Sequence, residues 1–497
     1  MATRAARAQT PPPVYRNWLA ALAANGYTVT QGSSLVSSVD YCNTVVVPVF
    51  GTCFLQDPND PYVTTLMPQG TGYIDPYFGS MDNSILPNGV QGGSVFTLNQ
   101  NEAEVVIINL PPWAGYLSYQ GYVFTRPTSH YRTVAQVSPD PARADLFASY
   151  GNSVNNAGIA AQLGLPTSSW PEGTIAIIST ANSALAQAVE RQFQGDTSRL
   201  FADPIGMNVH VGNDSADDDF ITLIRYLVPE SPDLAQAWLN SVGDNVFVYR
   251  VVGPSTVPAL RFRTQTLLTK SYNTNESVYA GDVSELAGLM KNWLATQETK
   301  ANIIVKQSGE TEVVNAQGTI VSGDVGFSCL NSGANCNADE QDGAHWNVDA
   351  GPLPARHAFV LVGVDHDVTN NSTLLSLAAS DGTTATGILG FAETNKAAAG
   401  FATGVIAGSA QQALQDLGLW SQASPQLQAD APNLFVQIFS RGCSSTQTYC
   451  EYPFTTLIPT SEIPTKDDVI ATARAYVLPG HLSSANPYYM LPLTLIH

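Results

Sequence analysis

The twenty residues TIAIISTANSALAQAVERQF, Thr174–Phe193, mark the sharpest change of texture in the chain. Thr174–Thr180 is a continuous apolar run of strand length, and Ala181–Phe193 has helical character. Strand followed directly by helix argues for an α/β unit. Met207–Gly212 (MNVHVG) reads as another strand, Asp217–Leu227 (DDDFITLIRYL) and Ser231–Val242 as helices, and Asn245–Val252 (NVFVYRVV) as a closing strand.

On either side the texture is β-rich. Upstream, Thr44–Phe54 (TVVVPVFGTCF), Ala103–Leu110 and Tyr116–Arg126 read as strands, with a turn cluster at 57–62. DLFASY (Asp145–Tyr150) makes a poor strand. Gly281–Glu298 is the clearest helix: Leu286, Leu289, Met290, Trp293 and Leu294 form one apolar face, and Asp282 with Glu285 forms a capping box. Downstream, 433–442, 468–479 and 490–497 read as strands around an Ala/Gly-rich helical stretch at 395–420. The expected fold class is therefore α+β, with a β-rich part at 1–135, a central α/β section at 136–300 and a β-rich part at 301–497.

The six cysteines fall in three close pairs, Cys42 with Cys53, Cys329 with Cys336 and Cys443 with Cys450. None has metal-ligand spacing, so local disulfides and an extracellular or periplasmic compartment are expected. The residues before Val14 carry no apolar signal region, which suits a mature chain from which a signal peptide has been removed. With 21 basic and 41 acidic residues the formal charge is −20, which disfavours nucleic acid and anionic membranes as partners. No apolar run long enough to span a membrane is present.

Chemistry is suggested first by RHAFVLVGVDHDVTNN, Arg356–Asn371. An extended strand places His357 and His366 about 30 Å apart at ~3.3 Å per residue, too far for one metal ion. His366 remains as a general base, oriented by Asp365 or Asp367, with Arg356 or Arg474 as electrophilic help. Adjacent strand residues point to opposite faces, so the sequence neighbour need not be the partner of the imidazole. DEQDGAHWNVD (Asp339–Asp349) flanks His345 with Asp342 and Asp349; carboxylates and one imidazole could hold a divalent ion, but a solvated acidic loop explains the same residues and is the expectation. Asp217, Asp218 and Asp219 are expected as N-terminal acids of a helix. The seven histidines show no metal-binding spacing, and no motif specifies a cofactor.

YGNSVNNAG (Tyr150–Gly158) resembles the first block of the GDSL (SGNH) hydrolases, with Asn152 where the acid belongs. The resemblance implies Ser153 as a nucleophile at a strand-to-helix turn. The D-x-x-H pair of that family has no counterpart near the C-terminus, since His481 lacks an acid three residues before it. Aromatic clusters at 111–124 and 486–490 offer Trp113 and Tyr119 as stacking groups for a glycan. Two functions follow as expectations: a secreted, hydrolytic enzyme acting on a small molecule or glycan, and a non-catalytic polysaccharide-binding surface protein.

Overall fold

A computed structural model of the chain describes residues 10–38, 41–54, 56, 62–70, 84–86, 91–132, 138–297, 304–307, 309–310, 313–314, 320–321, 325–394, 406–444, 447 and 449–497. The fold is α+β; the described residues form four mostly antiparallel sheets of five or more strands, with a separate two-stranded pair, Val313–Val314 with Ile320–Val321. The first sheet runs in the order Thr28–Gln31, Val246–Val252, Glu102–Asn109, Thr174–Thr180, Leu200–Pro204. Its last two strands are parallel and are joined through the helix Ser183–Glu190, so the opening stretch does form a strand–helix–strand unit. Asn182 starts that helix, its side chain accepting from the N–H groups of Ala184 and Leu185.

Thr174–Thr180 is apolar throughout because both of its faces are covered. Ile175 and Ile177 enter the core shared with the second sheet. Ala176 and Ile178 pack on the other side, with Trp18 and Leu22 of the helix Pro13–Ala24 and with Leu185 and Val189. The Trp18 indole N–H donates to the Val189 carbonyl at 2.8 Å and ties the two covering helices together.

The second sheet is built on Tyr62–Pro68, Asp219–Pro229, Ala114–Pro127 and Arg143–Ser149, all antiparallel. The third contains Thr494–Ile496, Ala358–Val364 and Leu434–Ser440, and the fourth Gly343–Pro352, Asp468–Tyr476, Leu374–Asp381 and Thr386–Thr394. Phe359 and Leu361 of the third sheet meet Trp346, Leu375, Leu377 and Ala473 of the fourth in one core. Val360 and Val362 on the opposite face meet the helices Ala280–Gln297 and Ser409–Asp416. Tyr116 and Leu227 of the second sheet pack with Leu374 and Tyr476 of the fourth. The layers therefore run helices, first sheet, second sheet, fourth sheet, third sheet, helices.

Several local expectations change. Asp219–Pro229 is a fully buried strand, not a helix. Phe220, Leu223, Ile224 and Leu227 mimic helical spacing, but burial on both faces removes the alternation that would have marked a strand. Met207–Gly212 forms turns, and Arg143–Ser149 forms a buried strand. Thr44–Phe54 is mostly helical, over Cys42–Val46 and Val47–Phe50. The Cys42–Cys53 disulfide holds its Cα atoms 5.8 Å apart, whereas eleven extended residues would span about 36 Å. Glu285 does not close a capping box. It accepts from the N–H and hydroxyl of Ser424 at 2.7 Å each, supporting the start of a neighbouring helix, Pro425–Asp430. The turn cluster at 57–61 and the Ala/Gly-rich residues 395–405 lie outside the described residues.

All three cysteine pairs are disulfides. They are consistent with an extracellular or periplasmic setting. Among the described residues no helix is long and apolar enough to cross a membrane.

Candidate functional site

The fourth sheet has two unlike faces. Along Gly343–Pro352, Ala344, Trp346, Val348 and Ala350 point into the core shared with the third sheet. Alternation then turns His345 and Asn347 the other way, towards the second sheet. The ladder sets His345 opposite Arg474 and Asn347 opposite Thr472, so these four side chains form one patch.

That patch is one end of a cavity of about 120 Å³ between the second and fourth sheets. The volume is roughly ten times the ~10–15 Å³ a water needs, enough for one small organic molecule. Phe124, Ile221 and Leu223 of the second sheet, with Phe147, supply an apolar wall, and the disulfide-tied segment adds Val46, Phe50 and Phe54.

At the polar end, Glu340 is the hub. Its Oε1 lies 2.9 Å from His345 Nε2, and its Oε2 lies 3.2 Å from Arg225 and accepts from the Tyr116 hydroxyl at 3.0 Å. Burial alone would raise the Glu340 carboxyl. Arg225, His345 and Tyr116 outweigh it and hold the pKa down to about 2. An ionised carboxylate only accepts, so Nε2 of His345 carries the proton. Burial draws the His345 pKa below its ordinary value against the pull of Glu340, and the charges of Arg474 and Arg225 reinforce the shift. The imidazole is therefore neutral at pH 7, with its side chain 24% exposed. The Thr472 hydroxyl lines the same cavity, is buried, and has no hydrogen-bond partner among the described residues. Leaving such a group unsatisfied costs about 1–3 kcal/mol.

The acidic stretch that carries Glu340 is not solvated. Asp339, Glu340, Gln341 and Asp342 are all buried against the second sheet and its flanking turn. Asp339 accepts from the Ser149 N–H and hydroxyl, and burial raises its pKa to about 6. Asp342 accepts from Asn155 at 2.8 Å, and burial with the nearby Glu340 charge raises it too. Gly343 keeps the turn tight: a Cβ there would stand 2.8 Å from both Glu340 Cγ and His345 Nε2.

His366 lies elsewhere. It is buried in the core between the third and fourth sheets, its ring 5.0 Å from that of Trp346. The carboxylate on its imidazole is Glu276, with both oxygens 3.0 Å from Nδ1. Glu276 also accepts from Thr369, Asn371 and the Leu491 N–H. Burial would raise Glu276, but His366 and these donors keep it below its ordinary value. Asp365 instead caps its own turn, accepting from the N–H groups of Asp367 and Val368. Arg474 is on the far side of the fourth sheet from His366, and Arg356 is exposed at the opposite end of the Ala358–Val364 strand.

Ser153 does sit just ahead of the helix Asn156–Gln162, but the titratable group it acts on is the Asp342 carboxyl, whose pKa it helps to lower, and not a histidine. Asp218 and Asp219 pair with Arg126 and Arg143 at the head of a strand instead of capping a helix. Tyr119 is 2% exposed and its hydroxyl contacts Glu104 and Ser179, so its ring offers no open face. Trp113 is half-buried against Trp170. Of the quoted aromatics, Tyr488 is the exposed one, at 85%. Among the described residues no group of three or more His, Cys, Asp or Glu side chains converges as a metal-ligand set.

Of the catalytic and substrate-binding residues singled out from sequence, Arg474 is the one that lines the cavity; His345 joins it from the acidic stretch, and Cys42, Cys53 and Cys336 of the disulfides line it as well. Arg225, Glu340, Asn347 and Thr472 were missed. The available signal was the run of acids leading into His345, in a chain only 12% charged.

No family model and no curated protein matches the chain. Among solved structures, an uncharacterized protein from Burkholderia cenocepacia aligns over 99% of this chain and 91% of its own, at 10% identity and a TM-score of 0.37. A structural genomics target from Vibrio parahaemolyticus aligns over 97% and 98%, at 8% identity and a TM-score of 0.35.

Proposed function

We propose that the protein is an extracellular or periplasmic binder of a small, largely apolar molecule, held in the cavity between the second and fourth sheets. The composition of the cavity wall carries this reading: an aromatic and aliphatic lining closed at one end by His345, Glu340, Arg225 and Arg474. Small-molecule sites have that character, mostly apolar with a few convergent polar groups. Thermal-shift screening of small organic molecules tests it, with the cavity filled by Leu223→Trp as control. Stabilisation of the wild type that disappears in the filled variant supports the reading. Equal responses from both proteins contradict it.

The His345–Glu340 pair favours a second reading, hydrolysis. A neutral imidazole held by a carboxylate suits a general base, which here would take the proton of a water attacking an ester or amide carbonyl. Arg474, opposite His345, would face the oxygen on which charge develops. On this reading His345→Gln abolishes turnover while ligand binding survives. Turnover in the wild type falls as pH drops through a midpoint below about 6.5, because protonated His345 cannot act as base. Turnover that survives His345→Gln rules hydrolysis by this pair out.

A further inference from the structure

We infer that the chain carries a second binding site, a surface platform for a neutral saccharide, built on Tyr272, Tyr488 and Tyr489. None of the three lines the cavity, so the platform stands independently of the small-molecule reading.

The rings adjoin one another. Tyr272 and Tyr489 stack with centroids 3.8 Å apart and planes 25° from parallel. Tyr488 stands across Tyr489 at 84°, its centroid 5.3 Å away. Tyr488 is 85% exposed and Tyr272 40%. One apolar side chain in water is ordinary, but a braced group of three rings with its outermost ring uncovered is the character of a contact surface.

The mount is fixed before anything binds. Pro487 restricts the backbone at the start of the turn Pro487–Tyr489, and the Asn486 side chain accepts from the Tyr488 N–H at 3.1 Å. The Asn486 N–H donates to the Ser271 carbonyl at 2.6 Å, and Ser271 bridges to Ala485, so the two tyrosine-bearing segments are stitched together. Asn273 is anchored in turn, its Nδ2 donating to the carbonyls of Asn370 and Pro479. A tyrosine has two side-chain torsions, and on a rigid turn little freedom remains to be lost on binding.

The polar groups beside the rings are uncharged. Neither Leu482–Ile496 nor Ser271–Asn275 contains Asp, Glu, Lys or Arg, in a chain whose formal charge is −20. Of the charges flanking the second segment, Glu276 is buried on His366, and the Lys270 ammonium is turned to the Gly343 carbonyl. Each neighbouring amide is held by one atom and keeps the other. Asn486 Nδ2, a donor, and Asn273 Oδ1, an acceptor, make no hydrogen bond among the described residues.

A pyranose matches this set, with a C–H face for an aromatic ring and hydroxyls at its edge that both donate and accept. The flattest such faces belong to β-1,4-linked glucose and N-acetylglucosamine, whose substituents are equatorial. A polyproline segment needs a groove between aromatic walls, and here Tyr272 and Tyr489 close on each other.

Calorimetric titration of the full chain with cellohexaose, chitohexaose and decaproline tests the platform. The expected result is that at least one hexasaccharide binds with a Kd of about 1 mM or tighter. Tyr488→Ala weakens that binding at least tenfold, and Tyr488→Trp keeps it within threefold. Asn486→Asp retains the oxygen that accepts from Tyr488, removes the amide donor, and weakens binding at least threefold. Leu223→Trp, which fills the cavity, leaves it unchanged. Because Tyr488 is exposed, its variants keep the fold, and equal melting temperatures check this. No binding of either hexasaccharide, or binding that survives Tyr488→Ala, refutes the platform. Binding of decaproline alone, lost in Tyr488→Ala, assigns the surface to a polyproline partner and refutes it as well.

Discussion

His345 and Arg474 face each other across neighbouring strands, whereas His366 is held on the opposite side of the same sheet. The sheet thus separates a histidine that meets the cavity from one locked into the core. Their carboxylate partners differ in the same way: Glu340 reaches across to the second sheet, and Glu276 gathers segments around the third.

Glu340→Gln leaves the buried Arg225 guanidinium without its charge partner. Removing one member of a buried pair costs about 3–5 kcal/mol, and urea unfolding should show a loss of that size. Arg225→Met combined with Glu340→Gln should lose clearly less than the sum of the single losses. Additive losses would mean that the two side chains do not act as a pair.

His366→Ala should lower stability by about 2–4 kcal/mol, because it strips the Glu276 carboxylate of one of several buried donors. Ligand binding in the cavity should be unchanged once the variant is folded. Loss of binding with unchanged stability would return the functional role to His366.

Stability should rise as pH falls from about 8 to about 5. Burial raises the pKa of Glu104 and Asp145 to about 7, and of Asp203 and Asp339 to about 6. Each of the four binds its proton more tightly in the folded state, so protonation favours folding through this window. His345 and His210 oppose the trend, since burial lowers the pKa of each. Below about pH 4.5 the direction reverses, as Glu340 and Glu276, whose folded pKa values are depressed, begin to lose their contribution. Urea midpoints at pH 5.5 should exceed those at pH 8, and the opposite order would show that these carboxyls are solvated.

Replacing both Cys42 and Cys53 by Ser should weaken ligand binding as well as stability, because both cysteines line the cavity and the bond shapes the segment carrying Phe50 and Phe54. Replacing Cys443 and Cys450, which pack on the far helical side of the third sheet, should cost about 2–3 kcal/mol and leave affinity unchanged. Equal effects on affinity would remove the Cys42–Cys53 segment from the site.

The sequence was legible where burial is simple. Thr174–Thr180 with its helix, the long helix Ala280–Gln297 and the cysteine pairs follow from local pattern. Asp219–Pro229 was not, because stacking four sheets buries central strands on both faces and erases the period of two. The site was legible only in fragments. Arg474 and His345 are 129 positions apart in sequence and meet through strand pairing, and Arg225 reaches Glu340 from another sheet. His366 drew attention because it lies between two aspartates, yet its partner is Glu276, ninety residues away. Neighbours in sequence misled where neighbours across sheets decide.

The imidazole resonances of His345 and His366, followed by NMR during a ligand titration, test the central claim most directly. The account predicts that a ligand bound in the cavity shifts the His345 ring signals, while the ring signals of His366 stay fixed. Movement of His366 with His345 unchanged would contradict it.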